Sequence, residues 1–387
     1  MRFAKDGNLV VLSAANFFAR YHNFLIAFVI STFLAGFMSE VMLGWVIAGV
    51  STVVALSLIV MPKVFDRSGT RRVLVVFGLL EMAIVIGLTL AHSAFPAGIL
   101  FALQGICAYN MFLGLDLLLE AHTTDEKKTG HFRGLFLVLA NASVLAATLS
   151  IAYILNDHNY NDVFLIAAAA VAPFTMLAAS LPSISRVPGM HTSFKVHTFK
   201  EIWNRQSLLT TMAAHFLLLV FFSWTIYYLP LYLLEHVGFS GKTTFLLMTL
   251  SVVPYLLLEY PIGVIADSYL GEKEIAFAGY IIMAAGTVLI SFIGGMALLP
   301  WILIILLANI GGAMAEVSTE THFFKHVAVT DLNIISAFRM LRPLSAILAP
   351  LIASITLLLV PFQGIFIVFG AFLLLGIPLV LAMTDTR

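Results

Sequence analysis

Arg20 is the charged residue whose position in the sequence most needs an explanation. It lies about a dozen positions into a long apolar segment, or about 18 Å along an α-helix that rises about 1.5 Å per residue. A charge at that depth in a membrane is expected to face the protein interior and to have a partner there. Asn16 and Asn23 flank it at helical spacing, so the three side chains form one polar stripe. The stripe predicts either a binding site for an anionic or hydroxyl-rich group, or a permanent internal salt bridge.

Other polar residues in apolar segments could complete such a site. In the segment 207–235, Ser223 and Tyr227 are one helical turn apart, and Trp224 lies beside them. Tyrosine hydroxyls and the indole ring can hold a ligand by its apolar faces and its polar edges. The remaining residues predicted to contribute are Gln104, Asn141, His215, Tyr255 and Asn309. The alternative for the aromatic residues is a role as anchors at the membrane interface.

Three ionisable residues in apolar segments could bind and release a proton. Glu81 and Glu259 are carboxyl groups within such segments, where burial favours the neutral form of a carboxyl group. His215 is the third, because an imidazole changes its charge near neutral pH. These three residues are the candidate sites for proton coupling.

Two pairs of acids are spaced four residues apart, so each pair lies on one face of a helix. The pairs are Asp116 with Glu120, and Glu316 with Glu320. Like charges at this spacing repel each other unless bases lie between them. The bases close to them in the sequence are Arg133, Lys325, Arg339 and Arg342. We expect salt bridges here; the alternative is a divalent-cation site with His122 or His322, since carboxylate and imidazole groups are suitable ligands.

The elements that must position these residues are membrane-spanning helices. Of the 387 residues, 61% are hydrophobic and only 10% are charged, whereas a soluble domain has about 25% charged residues. A spanning helix needs about 20 mainly apolar residues. Twelve such segments cover residues 8–36, 40–61, 73–91, 95–120, 131–155, 161–181, 207–235, 241–263, 274–293, 298–321, 332–358 and 361–383. The predicted fold is an all-α polytopic membrane protein with twelve transmembrane helices.

The longest polar interruption divides the chain into two halves. Residues 182–206 contain four bases interleaved with aromatic and aliphatic residues, a pattern typical of a short amphipathic helix on a membrane surface. We therefore predict an N-terminal six-helix bundle at 1–181, a cytoplasmic linker at 182–206 and a C-terminal six-helix bundle at 207–387.

The basic residues predict the orientation of the helices. If the N-terminus is cytoplasmic, all lysines and arginines except Lys242 and the buried Arg20 fall in cytoplasmic segments. Cytoplasmic loops carry an excess of these residues. We therefore expect a multi-pass protein of the cytoplasmic membrane with both termini on the cytoplasmic side.

Two polar loops occupy matched positions in the two halves. The first, at 62–72, contains Asp66, a glycine turn and paired arginines, and a second copy at 263–273 lies about two hundred residues later. Such charged loops are costly to place in lipid, so each is expected at a membrane surface. A further parallel, between Asp116–His122 and Glu316–His322, keeps about the same offset. The sequence thus predicts two pseudo-symmetric bundles.

These loops resemble the signature of the major facilitator superfamily (MFS), and the resemblance extends over the whole chain. The family pattern between helices 2 and 3 is Gly-x3-Asp-(Arg/Lys)-x-Gly-(Arg/Lys)-(Arg/Lys). At matching positions this chain has Asp66, Arg67, Gly69 and Arg71, and it departs from the pattern at Pro62 and Thr70. The second copy keeps Gly263 and Asp267 but reaches Gly271 one residue late. The resemblance implies a secondary transporter whose two halves rock about a central site lined by helix 1.

The resemblance also implies a gate on the cytoplasmic side. In the family, the loop acid interacts with the neighbouring half when that side is closed. Asp66 is then expected near Arg339 and Arg342, and Asp267 near Arg133. With the acid pairs, the predicted gating residues are Asp66, Arg67, Arg71, Asp116, Glu120, Arg133, Asp267, Glu316, Glu320, Arg339 and Arg342. The alternative for the loops is that they only determine the orientation of the helices in the membrane.

The sequence favours transport of a small organic solute, anionic or polar, by alternating access. We expect its partners to be that solute and the lipid bilayer, with the chain acting as a monomer. A lipid or lysolipid flippase of the same fold and a transport-inactive sensor or scaffold are the alternatives. The sequence has no nucleotide-binding loop, nucleophile constellation or metal motif, so neither an enzyme nor a cofactor is expected. The zero net charge does not indicate nucleic-acid binding.

Overall fold

All regular elements that the structure describes are helical. The computed structural model describes residues 2–122, 126–155, 159–183, 201–327 and 331–384. Its first six helices are α1 (Arg2–Ala35), α2 (Glu40–Ser68), α3 (Thr70–Thr89), α4 (Ala94–His122), α5 (Glu126–Ile154) and α6 (Asn161–Ser180). The next four are α7 (Gln206–Leu231), α8 (Gly241–Ile265), α9 (Glu272–Ile290) and α10 (Leu298–His326). The last four are α11 (Leu332–Arg339), α12 (Leu341–Leu357), α13 (Ile365–Leu373) and α14 (Gly376–Leu381).

The helices confirm the predicted polytopic membrane fold. Within the described ranges, 11 helical stretches are long and apolar enough to cross a membrane, and α5 adds the shorter apolar helix Val138–Ile154. The last two predicted spans are each divided into two helices, α11 with α12 and α13 with α14. The amphipathic helix predicted for the linker falls for the most part on residues 184–200, which lie outside the described residues.

The chain divides into two compact units. The first comprises Met1–Ser39, Gly49–Met190 and Ser240–Leu246, and the second comprises Glu40–Ala48, His191–Phe239 and Leu247–Arg387. In the first unit, α1 packs against α4, α5 and α6, and α3 packs against α4 and α6. Its core is formed mainly by aliphatic side chains and includes Leu12, Met111, Leu115, Val171 and Phe174.

The second unit repeats this packing pattern. Helix α7 packs against α10, α12 and α14, and α9 packs against α10, α13 and α14. The tenth, eleventh and twelfth spans therefore surround α7 as the fourth, fifth and sixth spans surround α1. The matching packing around α1 and α7 shows two pseudo-symmetric six-helix bundles, as the repeated loops of the sequence predict.

The two signature loops also share one backbone conformation. Gly69 precedes α3 with φ 79° and ψ 141°, and Gly271 precedes α9 with φ 93° and ψ 156°. This region of backbone space is accessible almost only to glycine. Gly271 comes one residue late in the sequence because α8 ends in a π-helical turn, Ala266–Leu270. A π turn accommodates one additional residue in a helix, so the insertion leaves the glycine turn unchanged.

Candidate functional site

The polar stripe of α1 is held in place within the first unit. Asn16 is fully buried, and its Nδ2 donates a hydrogen bond to the carbonyl oxygen of Phe136 on α5 at 3.1 Å. Its Oδ1 accepts a hydrogen bond from Nε of Arg20 at 3.0 Å. The Arg20 guanidinium lies over the Phe112 ring, 5.0 Å from the ring centroid, and the side chain is partly exposed. Asn16 and Phe112 thus orient Arg20, and Phe112 is a residue that sequence reasoning missed.

Asn23 belongs to a different polar cluster, buried between α1, α3 and α4. Nε2 of Gln104 lies 3.3 Å from Oδ1 of Asn23 and 3.0 Å from Oε1 of Glu81. His22 contacts the same carboxyl oxygen at 3.0 Å. The sequence singled out Asn23, Glu81 and Gln104 separately and missed His22. The remaining predicted residue of this unit, Asn141, is partly buried on α5.

In the second unit, most of the predicted binding residues have partners inside their own bundle. His215 is buried, with Nδ1 3.0 Å from the Thr319 hydroxyl and its ring stacked on Phe338 at a centroid distance of 4.4 Å. The Tyr255 hydroxyl donates to Oδ1 of Asn309 at 3.4 Å. The first set of contacts joins α7 to α10 and α11, and the second joins α8 to α10 at a different level of the helix.

Trp224 is enclosed by aromatic and backbone groups. It is 2% exposed, its Nε1 donates to the carbonyl oxygen of Ala349 at 2.8 Å, and its ring stacks on Phe369 with centroids 3.7 Å apart. Ser223 is buried and donates to the carbonyl oxygen of Leu219, whereas Tyr227 is partly exposed. In this conformation Trp224 acts as a packing residue, because its one donor and both of its faces lie inside the bundle.

Three acids of the second unit interact electrostatically with one another. Glu316 and Glu320 on α10 interact electrostatically with each other and with Arg342 at the start of α12. Glu259 on α8 interacts electrostatically with both of them. All three carboxyl groups are partly buried, and Arg342 is exposed. The structure thus brings together a predicted coupling residue and two predicted gating residues, which we call the acid cluster.

Lys325, one of the bases expected beside these acids, has a different partner. Its Nζ forms an ion pair with Glu272 in the first turn of α9. Glu272 is 1% exposed, whereas Lys325 is 42% exposed. The sequence did not single out Glu272, which occupies the position in the second loop that Thr70 occupies in the first.

His322, considered as a metal ligand, instead joins α10 to α7 and to the chain after α14. Its Nδ1 lies 2.8 Å from the Thr211 hydroxyl, and its Nε2 lies 3.1 Å from the carbonyl oxygen of Thr384. The side chain of His122 falls outside the described ranges. Among the described residues, no group of three or more His, Cys, Asp or Glu could hold a metal ion.

The predicted gating residues lie near the helix ends. Asp66, Arg67 and Arg71 are exposed around the first glycine turn, Arg339 is exposed at the end of α11, and Asp116 is partly buried on α4. The side chains of Glu120, Arg133 and Asp267 lie outside the described part of the chain. The predicted contacts of Asp66 and Asp267 therefore stay predictions.

Solved structures of transporters share this fold. A POT family transporter in complex with a thioalcohol conjugated peptide has a TM-score of 0.77 at 12% identity, over 96% of this chain and 94% of that chain. The nucleoside transporter NupG has a TM-score of 0.77 at 10% identity, over 97% and 98% of the two chains. A D-xylose-proton symporter has a TM-score of 0.71 at 15% identity, over 97% and 96%.

Comparison of the sequence with protein-family descriptions identifies the family. No curated protein sequence matches the chain. The family description Major Facilitator Superfamily matches residues 12–327, which include both glycine loops, the stripe of α1 and the acids of α10. Together with the repeated bundles, this match shows that the chain is a membrane transporter that belongs to the major facilitator superfamily.

Proposed function

We propose that this protein is a secondary transporter of a small organic solute that carries an anionic or strongly polar group, and that Arg20 binds this group. The observation that carries the proposal is the placement of Arg20 in the apolar part of α1, oriented by Asn16 and Phe112 and partly exposed. A guanidinium in a membrane interior faces water or a charged or polar partner. Its planar array of donors fits a carboxylate or a phosphate with two parallel hydrogen bonds.

The acid cluster supports coupling of this transport to protons. Glu316 and Glu320 both interact with one base, Arg342, and Glu259 adds a third carboxyl group that interacts with both acids. Three negative charges in a partly buried group repel one another, and binding of a proton by one of them relieves that repulsion. Movement of the solute by alternating access would then accompany the uptake and release of this proton.

The solved structures of similar fold support a polar solute. Their names describe transporters of nucleosides, a transporter in complex with a conjugated peptide, and a symporter of D-xylose and protons. The strong bias of basic residues supports placement in the cytoplasmic membrane with both termini on the cytoplasmic side. A monomer suffices for this function, because one chain contains both bundles.

Ligand-induced thermal stabilisation of the purified protein tests the proposal. The screen uses small carboxylates and phosphates, each beside its uncharged amide or alcohol analogue. We expect the anionic member of at least one pair to raise the melting temperature, and Arg20→Ala to abolish that rise. Arg205→Ala is the matched control, because it also removes one positive charge but at an exposed position on the linker.

Two results would contradict the proposal. One is equal stabilisation by the charged and uncharged members of every pair, and the other is an unchanged response in Arg20→Ala. Stabilisation by lysolipids alone would favour the flippase alternative. Binding of a solute that never crosses the membrane would favour the sensor.

A further inference from the structure

His22, Glu81 and Gln104 form a polar cluster inside the first unit that the proposed function does not use. His22 and Glu81 are 0% exposed and Gln104 is 2% exposed. The three residues come from α1, α3 and α4, so the cluster joins three helices in the middle of the bundle. Ionisable groups this deep in a membrane bundle are costly unless their charges and hydrogen bonds are satisfied. The hydrogen-bond contacts of the cluster determine how many hydrogen atoms it holds.

The hydrogen-bond geometry requires one proton between the imidazole of His22 and the carboxyl group of Glu81. Nδ1 of His22 lies 3.2 Å from the carbonyl oxygen of Phe18, and since a carbonyl only accepts, Nδ1 carries a hydrogen. Both hydrogens of the Gln104 amide are donated, one to Glu81 and one to Asn23. The 3.0 Å contact between Nε2 of His22 and Oε1 of Glu81 therefore needs a proton of its own. Without it, two lone pairs would face each other at hydrogen-bond distance.

The second carboxyl oxygen indicates which atom holds this proton. Oε2 of Glu81 is buried and has no hydrogen-bond partner among the described residues. In an ion pair with a protonated His22, this oxygen would carry negative charge without a donor, which an apolar interior strongly disfavours. In a neutral Glu81 it is a carbonyl oxygen, and an under-satisfied carbonyl is better tolerated.

The charged and titratable neighbours do not decide between the two arrangements. On α1, Arg20 lies two residues before His22, and a positive charge opposes protonation of an imidazole but favours ionisation of a carboxyl group. On α4, Cys107 is buried, and a neutral thiol adds no charge to the cluster. Oε2 of Glu81, unpartnered within the described ranges, therefore carries the assignment.

We propose that His22 and Glu81 form a buried proton-binding site that holds one proton, carried by Glu81 and donated to Nε2 of His22. The ligand of this site is the proton itself. The neutral pair connects α3 to α1 by a hydrogen bond, Gln104 connects α4 to both helices, and the cluster itself contains no charged group. Because both side chains are fully buried in this conformation, water does not reach the proton there. The site belongs to the first unit and is distinct from the acid cluster of the second unit.

Infrared spectroscopy of the purified full-length protein tests this site without a transport assay. The spectrum of Glu81→Gln is subtracted from that of the wild-type protein. We expect loss of one carbonyl band of a protonated carboxyl group, at an intensity that is constant between about pH 5 and about pH 8, the range in which an exposed histidine titrates. Glu274→Gln, which changes an exposed acid of α9, is the control and should remove carboxylate bands instead.

Two results would overturn the inference. Loss of carboxylate bands in Glu81→Gln would show an ion pair, and a protonated band that disappears within this pH range would show a proton in exchange with water. Should Glu81→Gln fail to fold, nitrogen NMR of histidine-labelled wild-type protein replaces the subtraction. A neutral His22 with its hydrogen on Nδ1 is the expected result, and an imidazolium signal from His22 would overturn the proposal.

Discussion

Asn16 accepts a hydrogen bond from Nε of Arg20, one helical turn further along α1, at 3.0 Å. The same amide donates to the carbonyl oxygen of Phe136, so Asn16 fixes the direction of the guanidinium relative to α5. A buried amide with both ends used in this way makes the orientation of Arg20 a property of the folded bundle. For the proposed role of Arg20, this means that the charge is in position before the solute binds, which lowers the entropy cost of binding.

Asn16→Ala should weaken binding of the anionic ligand identified by thermal stabilisation. The variant removes the acceptor that holds Nε of Arg20, and a hydrogen bond to a charged group contributes about 1.5–3 kcal/mol. We expect a loss of affinity of about tenfold or more, measured by calorimetric titration. Asn110→Ala is the control, because Asn110 is also fully buried on the same unit but bonds to Ser57 and Ile106. Equal affinity in the two variants would contradict a positioning role for Asn16.

Replacement of Glu316 and Glu320 together by glutamine should separate binding from coupling. Since the two amides cannot exchange a proton, accumulation of solute driven by a proton gradient should be lost. Counterflow, which exchanges labelled for unlabelled solute across the membrane, should remain because it needs no net proton movement. The exposed Glu274→Gln variant should retain both activities. Undiminished accumulation in the double variant would remove Glu316 and Glu320 from the coupling mechanism and leave Glu259 as the remaining carboxyl group of the acid cluster.

Loss of Lys325 should lower the free energy of unfolding more than loss of its ion-pair partner Glu272. Glu272 is 1% exposed and Lys325 is 42% exposed. Lys325→Ala leaves a buried carboxylate without this base and should lower the free energy of unfolding by about 2 kcal/mol. Glu272→Gln leaves a lysine that water can solvate, so its cost should be below about 1 kcal/mol.

Denaturant unfolding in detergent measures this difference. The exposed pair Arg205–Glu201 provides the control, since Glu201→Gln should change the stability by less than about 0.5 kcal/mol. Similar costs for Lys325→Ala and Glu272→Gln would show that burial does not decide the energetics of this pair.

The glycines of the two signature loops should be equally intolerant of a side chain. Gly69→Ala and Gly271→Ala force alanine to φ 79° and φ 93°, and such strain costs roughly 1–3 kcal/mol. Gly49→Ala on α2 is the control, because a Cβ there meets no atom within 4 Å and alanine is the better helix former. Melting temperatures should fall for the two loop variants and not for Gly49→Ala. A loop variant as stable as the wild-type protein would contradict the shared turn.

Much of the fold could be predicted from the sequence, because spanning helices need long apolar runs and duplicated loops reveal duplicated bundles. The sequence shows that Gly271 comes one residue later in its loop than Gly69 does in the first loop. It does not show the π turn that accommodates the additional residue. Hydrophobic pattern does not distinguish an α turn from a wider turn at a helix end. The packing of α7 beside α10, α12 and α14 follows from the repeat once the packing around α1 is known.

The candidate site was predictable only in part. Asn16 and Arg20 lie on one helix, so their spacing alone predicts that they meet. His22 and Glu81 are 59 residues apart, and Glu272 and Lys325 are 53 apart, so each pair forms only when helices pack. Helical periodicity shows which residues share a face but not which helix that face contacts. His22 also falls outside the polar stripe of α1, where a single histidine resembles an ordinary packing residue.

Uptake into proteoliposomes tests the central claim about Arg20 most directly. The wild-type protein and Arg20→Ala are reconstituted at equal density, and uptake of the labelled anionic ligand is followed under an imposed proton gradient. We predict that the wild-type protein accumulates the ligand above its external concentration and that Arg20→Ala does not, while Arg205→Ala behaves as the wild-type protein. Accumulation by Arg20→Ala at the wild-type rate and extent would contradict the account.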